Sequence, residues 1–218
     1  MIVTIDGPAG TGKSTAARGL AQRIGFDFLD TGAMYRAVAW ACLQRGADVH
    51  APDAVASVAA AINIGFSGRS TLVDGLDVSS EIRSPESSRA ASIVAQHPAV
   101  RSQLVQQQQR IAASRNIVCE GRDQGTVAFP QAECKFFLTA DARERALRRQ
   151  QELAAAGQQV PLDELIAEQT ARDDRDANRE VAPLRPADDA IVIDTTPYGA
   201  EGVIDLLEQH VRLRMAAR

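Results

Sequence analysis

"GPAGTGKST", residues 7–15, follows the opening run "MIVTID" and leads into "AARGLAQRI". Residues 1–6 are a short β-branched apolar run ending at Asp6, the pattern of a buried parallel strand. Beyond the glycines, Ala17, Leu20, Ala21 and Ile24 recur at i, i+3, i+4 and i+7, one apolar helix face, and Gly25 is placed to end that helix. Gly7, four residues, then Gly12, Lys13 and Ser14, set between a strand and a helix, make a complete P-loop. Glycines let successive backbone N–H groups turn toward one anion, and the helix N-terminus adds partial positive charge. The chain has only two lysines against 22 arginines, so a lysine here is not background. Gly7, Pro8, Ala9, Gly10, Thr11, Gly12, Lys13, Ser14 and Thr15 are therefore the expected nucleotide-phosphate site. Lys13 is the mobile charge for the β- and γ-phosphates, and the Ser14 hydroxyl is the candidate Mg²⁺ ligand.

The remaining chain continues strand and helix in alternation. "FDFL" reads as a second strand, followed by helical patterns to about residue 61. Residues 62–83, "INIGFSGRSTLVDGLDVSSEIR", break that rhythm with short alternating runs separated by Ser-Gly and Asp-Gly turns, the pattern of an inserted antiparallel sheet. Residues 85–114 return to helix, and "QQQQ" at 106–109 reads as a solvated face. "IVCE" and "CKFFL" are buried-type strands. Two charge-rich helices and the strand "AIVID" follow. An amphipathic helix then closes the chain, with Val203, Leu206, Leu207 and Val211 inward. The expectation is an α/β fold: a P-loop three-layer α/β/α domain with a parallel central sheet, an inserted small antiparallel sheet and a helical lid.

Composition narrows the functional classes. The 218 residues are 45% hydrophobic and carry a net charge of −4, which argues against a nucleic-acid coat or a polybasic membrane anchor. No apolar run reaches membrane-spanning length, and nothing at the N-terminus reads as a leader, so a cytoplasmic protein is expected. Cys42, Cys119 and Cys134 are odd in number, fit no metal spacing and lie in apolar segments, as buried thiols do in a reducing compartment. GTP-specific proteins usually carry an Asn-Lys-x-Asp base clamp, and none of Asn63, Asn116 or Asn178 begins one. Transfer from ATP to a small acceptor moves ahead.

Three further stretches suit an anionic acceptor. In "LDTGAMYR", residues 29–36, Thr31 and Arg36 follow the second strand at the sheet edge where ligands gather. In "EGRDQGT", residues 120–126, Arg122 and Asp123 lie just past a strand, either paired with each other's neighbours or used on a phosphate and on a base or sugar. In "ARDDRDANRE", residues 171–180, Arg172, Arg175, Asp176 and Arg179 fall on one helix face. "AAAGQQVP" before it reads as the flexible connection of a moving lid.

Together "GPAGTGKST", "LDTGAMYR", "EGRDQGT" and "RDDRDANR", in that order, resemble the nucleoside monophosphate kinases, and among them most closely the bacterial cytidylate kinases. "GLDVSSEIR" and "AASIVAQHPAVR" resemble that family's acceptor-binding insert. The resemblance spans about Ile2 to Asp194. It implies one domain over 1–218, with a core of about 1–32, 115–155 and 186–218, an acceptor-binding region of about 33–114 and a lid of about 156–185. By position it implies Thr31, Arg36, Ser92, Arg101, Arg122, Asp123, Arg172, Asp176 and Arg179 as acceptor-binding residues. Lys13, Arg122, Arg172 and Arg179 are then the catalytic cations. Glu120 stands where some members have aspartate, leaving a metal role for it open. The implied reaction is phosphorylation of CMP and dCMP by ATP with Mg²⁺, and a monomer is expected. Kinases for UMP, AMP, dTMP or shikimate are the near alternatives, and a nucleotide-dependent switch is the distant one.

Overall fold

The computed structural model describes residues 1–155 and 157–217. Ala156, the first residue of the expected lid, and Arg218 lie outside the described residues. In chain order the elements are β1 (Ile2–Asp6), α1 (Lys13–Ile24), β2 (Asp27–Asp30), α2 (Thr31–Gln44), α3 (Pro52–Ala61), β3 (Ile64–Ser67), β4 (Ser70–Val73), β5 (Leu76–Asp77), α4 (Pro85–Val94), α5 (Pro98–Ala112), β6 (Ile117–Glu120), β7 (Cys134–Thr139), α6 (Ala142–Ala155), α7 (Leu162–Asn178), β8 (Ile191–Asp194) and α8 (Ala200–Ala216). Contacts divide them into two units, Met1–Leu29 with Ala112–Arg218, and Asp30–Ile111.

The first unit is built on a five-stranded sheet in the order β2-β6-β1-β7-β8. The pairings β1–β6, β1–β7 and β7–β8 are parallel, as expected of strands linked by helical crossovers. β1 is central, so the P-loop leaves the middle of the sheet's C-terminal edge, and the loop after β6 emerges beside it. Successive β1 side chains point to opposite faces. Val3 and Ile5 join Phe136 and Leu138 against Ala17 and Leu20 of α1 and Val203, Leu207 and Val211 of α8. Leu20 and Leu207 are wholly buried, each worth about 2 kcal/mol of burial free energy. Thr4 and Asp6, equally buried, face the other way. They underlie the loop after β6 rather than an apolar layer. A smaller cluster of Ala146, Leu153 and Leu165 joins α6 to α7.

In the second unit, α2 packs on α3 and α4, and β3-β4-β5 form the antiparallel sheet expected from the sequence. Asp74 and Gly75 both have positive φ, which makes their two-residue turn match the twist of the strands it joins.

Three local readings are corrected. Residues 85–114 form two helices, because Pro98 starts α5 and biases His97 away from helical geometry. The "QQQQ" run is solvated only in part: Gln106 and Gln109 are exposed, but Gln108 is wholly buried and Gln107 Nε2 donates to the Ile64 carbonyl at 3.0 Å. Finally α7 ends at Asn178, and Arg179 has extended backbone at ψ 140°. Arg172, Arg175, Asp176 and Arg179 therefore do not share a helix face. Arg175 is exposed while Asp176 is buried.

Candidate active site

The P-loop opens at Gly7 with φ 142°. A Cβ there would stand 2.1 Å from the Leu138 carbonyl oxygen on β7, so the loop passes a strand too closely for any side chain. Gly12 caps α1 with no side-chain hydrogen bond, which leaves the first helical N–H groups to a ligand. Lys13 is buried and its Nζ donates to the Pro8 carbonyl at 2.5 Å. Burial, together with the charges of Arg122 and Arg172, holds its pKa well below the ordinary lysine range. Thr195, just past β8, donates its hydroxyl to the Thr11 carbonyl at 3.1 Å and braces the loop from behind.

The loop after β6 contributes the opposing charges. Arg122 Nε donates to Asp176 Oδ2 on α7 at 3.0 Å. Burial disfavours the Arg122 cation, yet Asp176 and Glu120 outweigh it and raise its pKa. Arg179 Nη2 lies 3.7 Å from Asp123 Oδ1, an ion pair buried on both sides, and Arg179 Nε donates to the Ala182 carbonyl. α7, through Asp176, and the residue just past its end, Arg179, thus tie to the Arg122–Asp123 loop at two points. Ser14 Oγ donates to Glu120 Oε1 at 2.5 Å. Hydroxyl and carboxylate oxygens are the hard donors that Mg²⁺ selects. Among the described residues no group of three His, Cys, Asp or Glu side chains forms a metal cage. The fit is to a cation that shares these oxygens with substrate phosphates and water.

The second unit gathers the other predicted residues. Asp30 caps α2, accepting from Ala33 N at 2.8 Å and from Arg36 Nη2 at 3.0 Å. Thr31 begins that helix and is buried. Arg101, also buried, donates to the Ala95 carbonyl at 3.2 Å, and its guanidinium lies 5.7 Å from the centre of the Tyr35 ring. Ser92, three residues before Ala95, is buried with its hydroxyl making no hydrogen bond, an arrangement that costs about 1–3 kcal/mol until a partner arrives.

Lys13 thus shares its surroundings with Arg122 and Arg172, and comparison of the whole sequence with known proteins names the group. A model of the family described as cytidylate kinase matches residues 3–213. The chain belongs to the cytidylate kinase family. It is 44% identical to the cytidylate kinase of Vibrio cholerae over 218 residues, covering 98% of this chain and 97% of that one. It is 44% identical to that of Shewanella loihica, covering 98% and 95%. Solved structures similar to it include a shikimate kinase from Bacteroides thetaiotaomicron, at TM-score 0.51, 12% identity and 97% and 98% coverage. Another is an uncharacterized protein from Eubacterium ventriosum, at TM-score 0.54, 11% identity and the same coverage. At those identities the likeness speaks for the fold alone, a P-loop α/β fold.

Several residues of this kinase site carry no recognisable motif. Asp6 accepts from the backbone N–H groups of Gln124 and Gly125 at 2.9 and 2.8 Å, and burial outweighs those bonds to push its pKa up to about 7. Arg145 on α6 donates to the Ala9 carbonyl at 2.9 Å and pairs with Asp173, which in turn accepts from Ala9 N at 3.3 Å. The tip of the phosphate loop is thereby held by α6 and α7 together. Asp6 was visible only as a strand end, and Arg145 only as one charge in a charged helix.

Proposed function

We propose that the chain transfers the γ-phosphoryl group of ATP directly onto CMP and dCMP, yielding ADP with CDP or dCDP. The convergence of Lys13, Arg122 and Arg172 carries the reading. A lysine depressed by burial and by two neighbouring guanidiniums is a poor arrangement by itself and a good one around several phosphates.

The roles follow from the chemistry. The attacking group is a phosphate oxygen whose second pKa is about 6, so at neutral pH it is already ionised and no general base is needed. In keeping with this, His97 bonds the Val49 carbonyl and His210 lies against Phe136, each occupied elsewhere. The residues of the P-loop, Gly7 to Thr15, hold the donor phosphates with backbone N–H groups, and Lys13 places a charge on them. Arg122, Arg172 and Arg179 cancel charge as the two anions approach and keep them aligned. Ser14, with Glu120 behind it, would hold Mg²⁺, which when bound neutralises the β- and γ-phosphate oxygens. Residues 157–185 act as a lid that excludes water, so that ATP is not simply hydrolysed.

For the acceptor, Thr31 and Arg36 take the phosphate and Asp176 a sugar hydroxyl. Asp123 or Ser92 accepts from the cytosine amino group, and Arg101 donates to the ring acceptors. Uracil would place a carbonyl opposite those acceptors, leaving buried polar groups unpaired. The working form is a monomer in the cytoplasm. The three cysteines, all buried and unpaired, suit a reducing compartment, and among the described residues no helix is long and apolar enough to cross a membrane.

The test is ADP release from Mg-ATP with CMP, dCMP, UMP, AMP, GMP or dTMP at equal concentration. CMP and dCMP are expected to stimulate release at least about tenfold more than UMP. A better response to another monophosphate overturns the base assignment, and no response to any of them restores the switch reading.

A further inference from the structure

We propose that Asp6 is a positioning residue for the acceptor: its carboxylate, one residue before the phosphate loop, fixes where Arg122 and Asp123 stand. The inference rests on the reading above that those two residues hold the acceptor.

Two consecutive β1 residues anchor the loop after β6 on both sides of Arg122 and Asp123. Gly121 N donates to the Ile5 carbonyl at 3.0 Å, extending the β1–β6 ladder one step past the strand. Gln124 N and Gly125 N then donate to Asp6 Oδ1 and Oδ2 respectively. Arg122 and Asp123 lie between these two anchors, so the end of β1 bounds their backbone on both sides while Asp176 and Arg179 meet their side chains. Because β1 continues directly into Gly7, the same strand end sets the phosphate loop. One rigid element thereby spaces the donor cradle from Arg122 and Asp123.

The contact is built for a carboxylate. Both oxygens are used, each by a separate backbone donor, and Asp6 is only 4% exposed. An asparagine would offer one acceptor and turn its amide against the second N–H. Gly125 closes the fit. A Cβ there would stand 3.0 Å from Thr4 Oγ1, 3.3 Å from Lys135 Cδ and 3.4 Å from Asp6 Oδ2, so a side chain would press the loop and β1 apart by a few tenths of an ångström. A carboxylate kept buried at such electrostatic cost, in the same region as Asp123, also argues for more than packing.

Asp6→Asn is expected to raise the KM for CMP about tenfold or more and to lower kcat, since small misplacements of aligned groups cost heavily. Its KM for ATP and its ATP affinity by calorimetry should stay within about threefold of the parent. A purely structural role would lower the melting temperature and shift both substrates together, or neither. Gly125→Ala perturbs the same contact from the loop side and is expected to reproduce the CMP-selective loss, which keeps the test open should Asp6→Asn not fold. An unchanged CMP KM in a folded variant, or equal losses for ATP and CMP, overturns the proposal. Arg122→Ala separates the two readings. If it leaves the CMP KM unchanged, the acceptor-loop assignment fails and takes the Asp6 role with it. If Arg122→Ala raises that KM while Asp6→Asn does not, only the Asp6 inference fails.

Discussion

Lys13→Ala is expected to lower kcat for CMP phosphorylation about 10³-fold, the usual scale for removing one preorganised charge from a developing anion. The same substitution is expected to raise the melting temperature. Lys13 is buried beside the charges of Arg122 and Arg172, and its pKa is lowered in the folded protein. Protonation thus favours the unfolded chain. The penalty is absent above the ordinary lysine value, grows as pH falls toward the depressed one, and is fully present below it. The stability gain of the variant should accordingly widen as pH is lowered from about 10.5 and level off near neutrality. Turnover within tenfold of the parent sinks the catalytic role. A lower melting temperature at pH 7 sinks the electrostatic account of the site. Arg172→Ala tests the same cluster and should also lose turnover by orders of magnitude.

Gly7→Ala is the second large effect, and it acts on the fold. The added Cβ meets the Leu138 carbonyl oxygen at 2.1 Å and its carbon at 3.0 Å, on a strand pinned between β1 and β8. Neither partner is a flexible side-chain end, so the loop must leave the sheet. The expected cost is about 3 kcal/mol or more, which for a chain of this size is about 10 °C in melting temperature. Gly12→Ala is the control. Its φ is 85°, but nothing lies within 4 Å of the added carbon, so the cost falls to about 1 kcal/mol of backbone strain. Melting of Gly7→Ala within about 2 °C of the parent would show that β7 can yield there.

Much of this molecule is legible in the order of its residues because the signals are local. Gly7, Gly12, Lys13 and Ser14 sit within eight residues of one another, so the phosphate-loop pattern is readable locally, although the contact that forbids a side chain at Gly7 comes from distant Leu138. The turn at Asp74–Gly75 is coded by its own φ angles. Strand and helix periodicities separate the parallel sheet from the inserted antiparallel one.

What the tertiary structure alone decided are the meetings of residues far apart in the chain. Ser14 meets Glu120, Asp6 meets Gln124 and Gly125, Arg122 meets Asp176, and Arg145 meets Ala9 and Asp173. Each depends on which strands lie side by side, and sheet order is set by crossovers that no local period encodes. Burial behaves likewise. Gln108 sits in a run of four glutamines, and only packing distinguishes it from Gln106. Arg179 continues a helical spacing, yet its backbone leaves the helix and its guanidinium pairs with Asp123. The sequence by itself determined that a strand, a phosphate loop and a set of arginines exist. The long-range pairing of the sheet decided which carboxylate each cation faces, because charge partners are chosen by distance in space.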